Sequence, residues 1–244
     1  MYIVRAVGER RLTRLLIRGS LAGLSLVVPL AGCGGDDDGG DGENGGSTEI
    51  SGTYVGDTQD KDTFVAIVGP PTEGEGGGES EMLVCDATRF CASLPATIDG
   101  TSLEAKSDAG DAKAEGELSG DAVDGSVDLP DAKSTRYKAD VATAAAGVYD
   151  LTVSKEGKLR GTSEAGVALT GESTLPEPGA GTLKLADGTR LEFEATENPA
   201  AEAMDLEPGQ VRLIVLPSGE LRGAGRSTGA DGGEGSYFFL RSSG

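Results

Sequence analysis

Three cysteines and a large excess of carboxylates are the groups in this chain with the chemistry for a reaction. Cys33, Cys85 and Cys91 are its only thiols, and 40 of its 41 acidic residues lie beyond residue 32. Thiols carry lipid, form disulfides, exchange electrons or ligate metals. Cys85 and Cys91 are not spaced as Cys-x-x-Cys, which speaks against a redox pair, and two thiols without histidine make a poor zinc site. The chain has no histidine at all, so Ser-His-Asp triads, Cys-His pairs and His-based zinc sites are excluded. No serine has a lysine three residues later, and no Gly-x-Ser-x-Gly elbow is present. Gly161-Thr162-Ser163-Glu164-Ala165 comes near, without the last glycine or a base. There is no P-loop and no Gly-x-Gly-x-x-Gly ahead of a helix.

Carboxylates remain. Two of them suffice for glycoside hydrolysis, and among 40 some will be neighbours. Sugar sites also use aromatic platforms, and this chain has no Trp, five Phe and five Tyr. Asp36-Asp37-Asp38 suggests calcium, but an EF-hand loop needs oxygen ligands at alternate positions, and Gly40 falls where the fifth-position ligand belongs. The residues therefore nominate no catalytic group, no cofactor and no metal ligand, and the expectation is a protein that is not an enzyme.

The elements around Cys33 give that residue a different chemistry. Residues 1–32 carry Arg5, Arg10, Arg11, Arg14 and Arg18 against Glu9, followed by a charge-free stretch from 19 to 32. Its apolar core is Leu21, Leu24, Leu26, Val27, Val28 and Leu30. A basic start, a short apolar run and small residues before a cut site form a secretory signature. The run is too short for a stable span, which needs ~20 apolar residues. The stretch Leu30-Ala31-Gly32-Cys33 resembles the lipobox of a bacterial lipoprotein signal. That resemblance implies cleavage before Cys33, a thioether-linked diacylglyceryl group on Cys33, and a lipid-anchored location on the outer face of the cell membrane. An uncleaved signal anchor with a chance cysteine is the alternative. With Cys33 assigned to lipid, Cys85 and Cys91 form an even pair in an oxidising compartment, where disulfides persist. Their flanks, 82–84 and 90–92, read as two strands, so the bridge staples a hairpin. Closing a seven-residue ring contributes roughly 2.4 kcal/mol in the chain-entropy model.

Loss of residues 1–32 takes the formal charge from −20 to −24 and leaves 212 residues. Such an acidic chain is not expected to bind nucleic acid, which needs clustered Lys and Arg. The expected partners are the membrane, through the lipid on Cys33, and a protein of the cell surface. Residues 34–49, GGDDDGGDGENGGSTE, read as a flexible, self-repelling tether with an r.m.s. span of about 20–24 Å. The domain reading is a signal at 1–32, the lipidated cysteine and tether at 33–50, a β module at 51–149 and a second β half at 150–244.

From residue 50 the pattern is all-β. Sixteen short runs read as strands: 52–56, 63–68, 81–85, 89–94, 102–105, 112–118, 122–129, 135–142, 148–154, 158–162, 166–171, 181–185, 190–196, 211–216, 220–223 and 236–241. Asp-Gly, Glu-Gly and Ser-Gly pairs recur between them as hairpin turns. Alternation places Leu183, Leu185, Leu191, Phe193 and Ala195 on one face and Lys184, Arg190, Glu192 and Glu194 on the other. Two stretches, 139–146 and 198–206, have helical potential, and 70–78 reads as an exposed loop. The architecture expected is antiparallel hairpins forming a small barrel or sandwich, in one piece or two halves. Phe238-Phe239 puts one aromatic on each face of the last strand, marking either an interface or a strand buried on both sides. Residues 151–161 and 213–223 share the frame L-x-V-x-x-x-G-x-L-R-G at an offset of 62. Duplication and convergence on similar turns both account for it. Arg160 and Arg222 occupy matching positions, which makes a paired binding site the sharper reading.

Residues 52–149 also resemble a β module of exported and membrane-tethered actinobacterial proteins. The resemblance rests on Gly52-Thr-Tyr54-Val-Gly56, Val84-Cys85-Asp86, Gly125-Ser-Val-Asp-Leu129 and Ala146-Gly147-Val148-Tyr149. It implies a fold and brings no activity with it. The Gly/Glu-rich insert at 73–79 departs from the module's compact pattern. A non-enzymatic surface module, a small-ligand carrier with a barrel cavity and a carboxylate hydrolase are the functions compatible with these residues, in descending order.

Overall fold

The alternation of apolar and polar residues seen in the sequence becomes two closed eight-stranded barrels in a computed structural model of the chain. The structure describes residues 50–70, 80–87, 90–130, 132–143, 145–163, 168–173, 179–228 and 235–243. Cys33, its lipobox, the tether and nearly all of the 70–78 loop lie outside them.

The first barrel is a meander, β1 (Thr53–Thr58), β2 (Thr63–Val68), β3 (Ser80–Asp86), β4 (Cys91–Asp99), β5 (Ser102–Lys106), β6 (Lys113–Ser119), β7 (Ala122–Asp128) and β8 (Thr135–Val141). Each strand pairs antiparallel with the next, and β8 closes on β1 with Gly56 opposite Ala139. Inward positions pack into one core that includes Tyr54, Val65, Ile67, Met82, Val84, Leu94, Leu103, Val123 and Tyr137. Two glycines make room for the largest of these side chains. A Cβ at Gly116 would collide with the Tyr137 hydroxyl, and one at Gly125 would lie 2.6 Å from its ring. The Tyr137 hydroxyl donates to the Glu115 carbonyl at 3.2 Å. Burial pushes its pKa far above the usual phenol value, so it stays a donor.

The second barrel holds β9 (Gly147–Val153), β10 (Lys158–Ser163), β11 (Ala168–Ser173), β12 (Gly179–Leu185), β13 (Arg190–Glu197), β14 (Gln210–Val215), β15 (Leu221–Arg226) and β16 (Tyr237–Ser242). Its order around the barrel is β10-β11-β12-β13-β16-β15-β14-β9. The chain therefore leaves β13, crosses the barrel and enters β14 beside β9. The crossing carries a short 3-10 helix, Pro199–Met204, capped by the Asn198 side chain, which accepts from the Ala200 N–H at 3.2 Å. The interior is filled by Tyr149, Leu151, Leu159, Leu183, Phe193, Leu213, Phe238 and their neighbours. Away from the face that the two barrels share, outward positions are mainly charged or polar, and Val141 is the one exposed large apolar residue among the described residues. This is the reverse of a lipid-facing barrel, which carries an apolar outer band. No helix among the described residues is long and apolar enough to cross a membrane.

Two sequence expectations change and one is met. The 139–146 stretch is not helical: β8 runs through Val141, because Ala139 is small enough to face Gly56 and Val123 across the ladder. The stretch at 198–206 does start a helix, of 3-10 type. Gly147-Val148-Tyr149, which the resemblance puts at the end of the first module, forms the opening strand of the second barrel.

Candidate functional site

Three surfaces bring together residues with functional chemistry: the seam between the barrels, an acidic groove on the first barrel, and a basic row on the second.

The seam is built from outward positions of β1 to β4. Val55, Phe64, Ala66, Leu83, Cys85 and Cys91 pack with Val148, Ile214, Ala224 and Phe239 of the second barrel. The crossover adds Ala201, Met204 and Leu206 to the same cluster. Phe238 and Phe239 divide as adjacent strand residues must: Phe238 enters the barrel interior and Phe239 the seam. The apolar side that the sequence leaves unassigned is thus an interface within the chain itself. Cys85 and Cys91 stand directly opposite each other in the β3–β4 ladder, with sulfurs 2.09 Å apart and Cα atoms 4.1 Å apart. Both are fully buried in the seam, so they staple the hairpin on the face that the second barrel covers.

Charged groups flank this apolar patch. Arg212 on β14 reaches across to Glu81 on β3 in a two-pronged pair, with Nη1 to Oε2 at 2.8 Å. Its Nε lies 2.9 Å from Asp150 on β9, and Ser93 donates to Glu81 at 2.7 Å. Desolvation raises the pKa of Asp150, and the Arg212 charge opposes that rise. Arg222 on β15 lays its guanidinium on the Phe64 ring, 4.1 Å from the centroid, and donates to the Asp62 and Lys61 carbonyls. The turn holding those carbonyls is tied by side-chain hydrogen bonds. Thr58 donates to Asp60 Oδ1 at 2.6 Å and accepts from the Thr63 N–H at 3.1 Å, while Lys61 takes a left-handed φ of 60°.

The two halves of the internal echo prove geometrically equivalent. β9–β10 and β14–β15 share register, Leu151 facing Gly161 as Leu213 faces Gly223. Their turns close with matching bonds, Gly157 N–H to Ser154 O at 3.0 Å and Gly219 N–H to Leu216 O at 2.9 Å. A Cβ at Gly161 or Gly223 would sit 2.7 Å from the Cδ2 of the facing leucine in both cases. The hairpins lie side by side, joined through β9 and β14, with Asp150 opposite its counterpart Arg212. Arg160 and Arg222 nevertheless do not form a paired site. Arg222 is taken up by the seam, and Arg160 stands exposed on the outer face of β10.

The acidic groove, about 930 Å³, runs over the outer face of β5 to β8 and the end of β1. Glu104, Glu115, Glu117 and Asp124 line it together with Arg136 and Lys138. Its carboxylates have near hydroxyl partners: Ser126 donates to Glu115, and Thr101 and Ser102 donate to Glu117, at 3.0–3.3 Å. The buried polar residues among those described are Thr58, Thr63, Ser163 and Ser227, with no carboxylate. No group of three or more Cys, Asp or Glu poised for a metal occurs among the described residues. The third surface, about 700 Å³, lies over β10 to β13 and is lined by Lys158, Arg160, Lys184 and Arg190 with Thr170 and Glu172. Comparison with family models, with curated proteins and with solved structures returns no match.

Proposed function

We propose that the protein is a lipid-anchored extracytoplasmic module that works by docking and not by turnover. The observation carrying this reading is the Leu30-Ala31-Gly32-Cys33 motif behind a basic and apolar leader. It supplies an anchor, and the acidic tether after it supplies reach. Support for docking comes from the barrels. Their inward positions are occupied by aromatic and aliphatic side chains, and the charged residues decorate outer faces.

The test has two parts. Cys33→Ser is expected to release the protein from the membrane fraction or block its processing, with loss of the acyl mass. Unchanged membrane retention of a native protein without acyl mass overturns the anchor. Crosslinking on intact cells is expected to recover a surface component. Recovery of the purified protein with a bound small apolar molecule would instead favour the carrier reading, which draws on barrel closure.

A further inference from the structure

One row of residues crosses the second barrel without a single carboxylate. Successive cross-strand partners on its outer face are Gln210, Thr152, Arg160, Thr170, Lys184 and Arg190, on β14, β9, β10, β11, β12 and β13. All six are exposed. At a strand spacing of about 4.8 Å the row runs roughly 24 Å along the curved barrel wall. It is acid-free in a chain with 41 acids and a net charge of −20. Among the described residues, Arg160, Lys184 and Arg190 make no ion pair and no side-chain hydrogen bond. Arg222, the counterpart of Arg160, shows what a claimed arginine looks like here, with an aromatic ring beneath it and carbonyls at its tips.

We propose that this row is the docking surface for a linear phosphate polymer, with Arg160, Lys184 and Arg190 binding phosphates and the Thr170 hydroxyl donating between them. Arginine forks and lysine ammonium groups match phosphate oxygens. Glu172 is a carboxylate on the same surface, against the four cations Lys158, Arg160, Lys184 and Arg190, so within a Debye length of about 8 Å positive charge prevails. A protein partner is a poorer fit, because interfaces are anchored by buried apolar and aromatic residues and this row has none. Single-stranded nucleic acid takes aromatic stacking platforms, which are equally missing from it. The proposal rests on the reading of the protein as a docking module and names its partner's chemistry.

The test is binding of the full chain to inorganic polyphosphate, with poly-L-glutamate as the carboxylate comparison. Three phosphate contacts predict a log–log salt slope of about −2, so a fourfold rise in salt weakens binding roughly twentyfold. Arg160→Gln, Lys184→Gln and Arg190→Gln together are expected to flatten that slope and weaken binding by at least about tenfold. Each single change removes about a third of the slope. Arg136→Gln with Lys138→Gln, on the first barrel, is expected to leave binding as it was. Absence of saturable binding, retention of binding in the triple variant, or equal affinity for poly-L-glutamate overturns the proposal. If polyphosphate fails while crosslinking on cells still captures a surface component, the docking reading stands and only this partner assignment falls.

Discussion

In the first barrel every strand lies beside its sequence neighbours, whereas the second inserts β16, β15 and β14 in reverse order between β13 and β9. Both paths close eight antiparallel strands around an apolar interior, and the difference is in what they leave outside. A meander needs only hairpin turns. The crossover must carry backbone over the barrel with its own apolar residues, Ala201, Met204 and Leu206, and these need cover. That cover comes from the outer face of the first barrel, where β4 lies against the 3-10 helix. The apolar residues of the crossover are therefore buried against the first barrel, and folding of the second barrel is expected to depend on that cover.

The sharpest way to break this comparison is at Phe238 and Phe239. If the seam is packed as tightly as a barrel interior, Phe238→Ala and Phe239→Ala will each cost about 3–5 kcal/mol in denaturant unfolding. A cost for Phe239→Ala below about 1 kcal/mol would reduce the seam to a surface contact. Next in size is the ion pair. Glu81→Leu alone takes the two-pronged partner from a partly buried Arg212, and a loss of about 2–3 kcal/mol is expected. Glu81→Leu with Arg212→Met is expected to recover most of it, and a double-mutant cycle reads the coupling.

The echo gives a matched pair of smaller effects. Arg222→Ala gives up a cation–π contact and two hydrogen bonds, an expected loss of about 1–2 kcal/mol. Arg160→Ala, at the equivalent position, is expected to stay within about 0.5 kcal/mol. Equal losses would contradict the assignment of one arginine to the seam and the other to solvent.

The smallest effect is pH-dependent. Folding raises the Asp150 pKa through burial, so ionised Asp150 disfavours the folded state above its folded pKa, and protonation relieves this on acidification. Asp150→Asn should thus be equal to or slightly more stable than the parent at pH 7, by no more than about 0.5 kcal/mol given its exposure. The difference should vanish as pH falls below the ordinary carboxylate range. Paired unfolding curves at the two pH values read this directly. A clear loss at pH 7 would mean that the Arg212 contact outweighs desolvation.

Strand positions were legible in the sequence because each is a local period-2 pattern. Leu183, Leu191 and Phe193 face inward, and Lys184, Arg190 and Glu192 face water, as their alternation requires. The Cys85–Cys91 pairing was legible through its flanking strands. What was not legible is non-local. Nothing in the spacing of residues 190–226 signals that β13 skips to β14, because alternation is blind to strand order. The adjacent Phe238 and Phe239 announced two buried faces without saying what covers the second. Arg222 could not be told from Arg160, since the ring and carbonyls that hold it come from residues 61–64, some 160 positions earlier. The helical reading of 139–146 failed because alanine's helix propensity yielded to the need for a small residue beside Gly56.

Expression of residues 50–142 and 143–244 as separate chains tests the dependence of the second barrel on the first most directly. The account predicts a cooperative unfolding transition for 50–142, and none for 143–244 until the two are mixed. A cooperative transition for 143–244 alone, at the midpoint of the full chain, would contradict it.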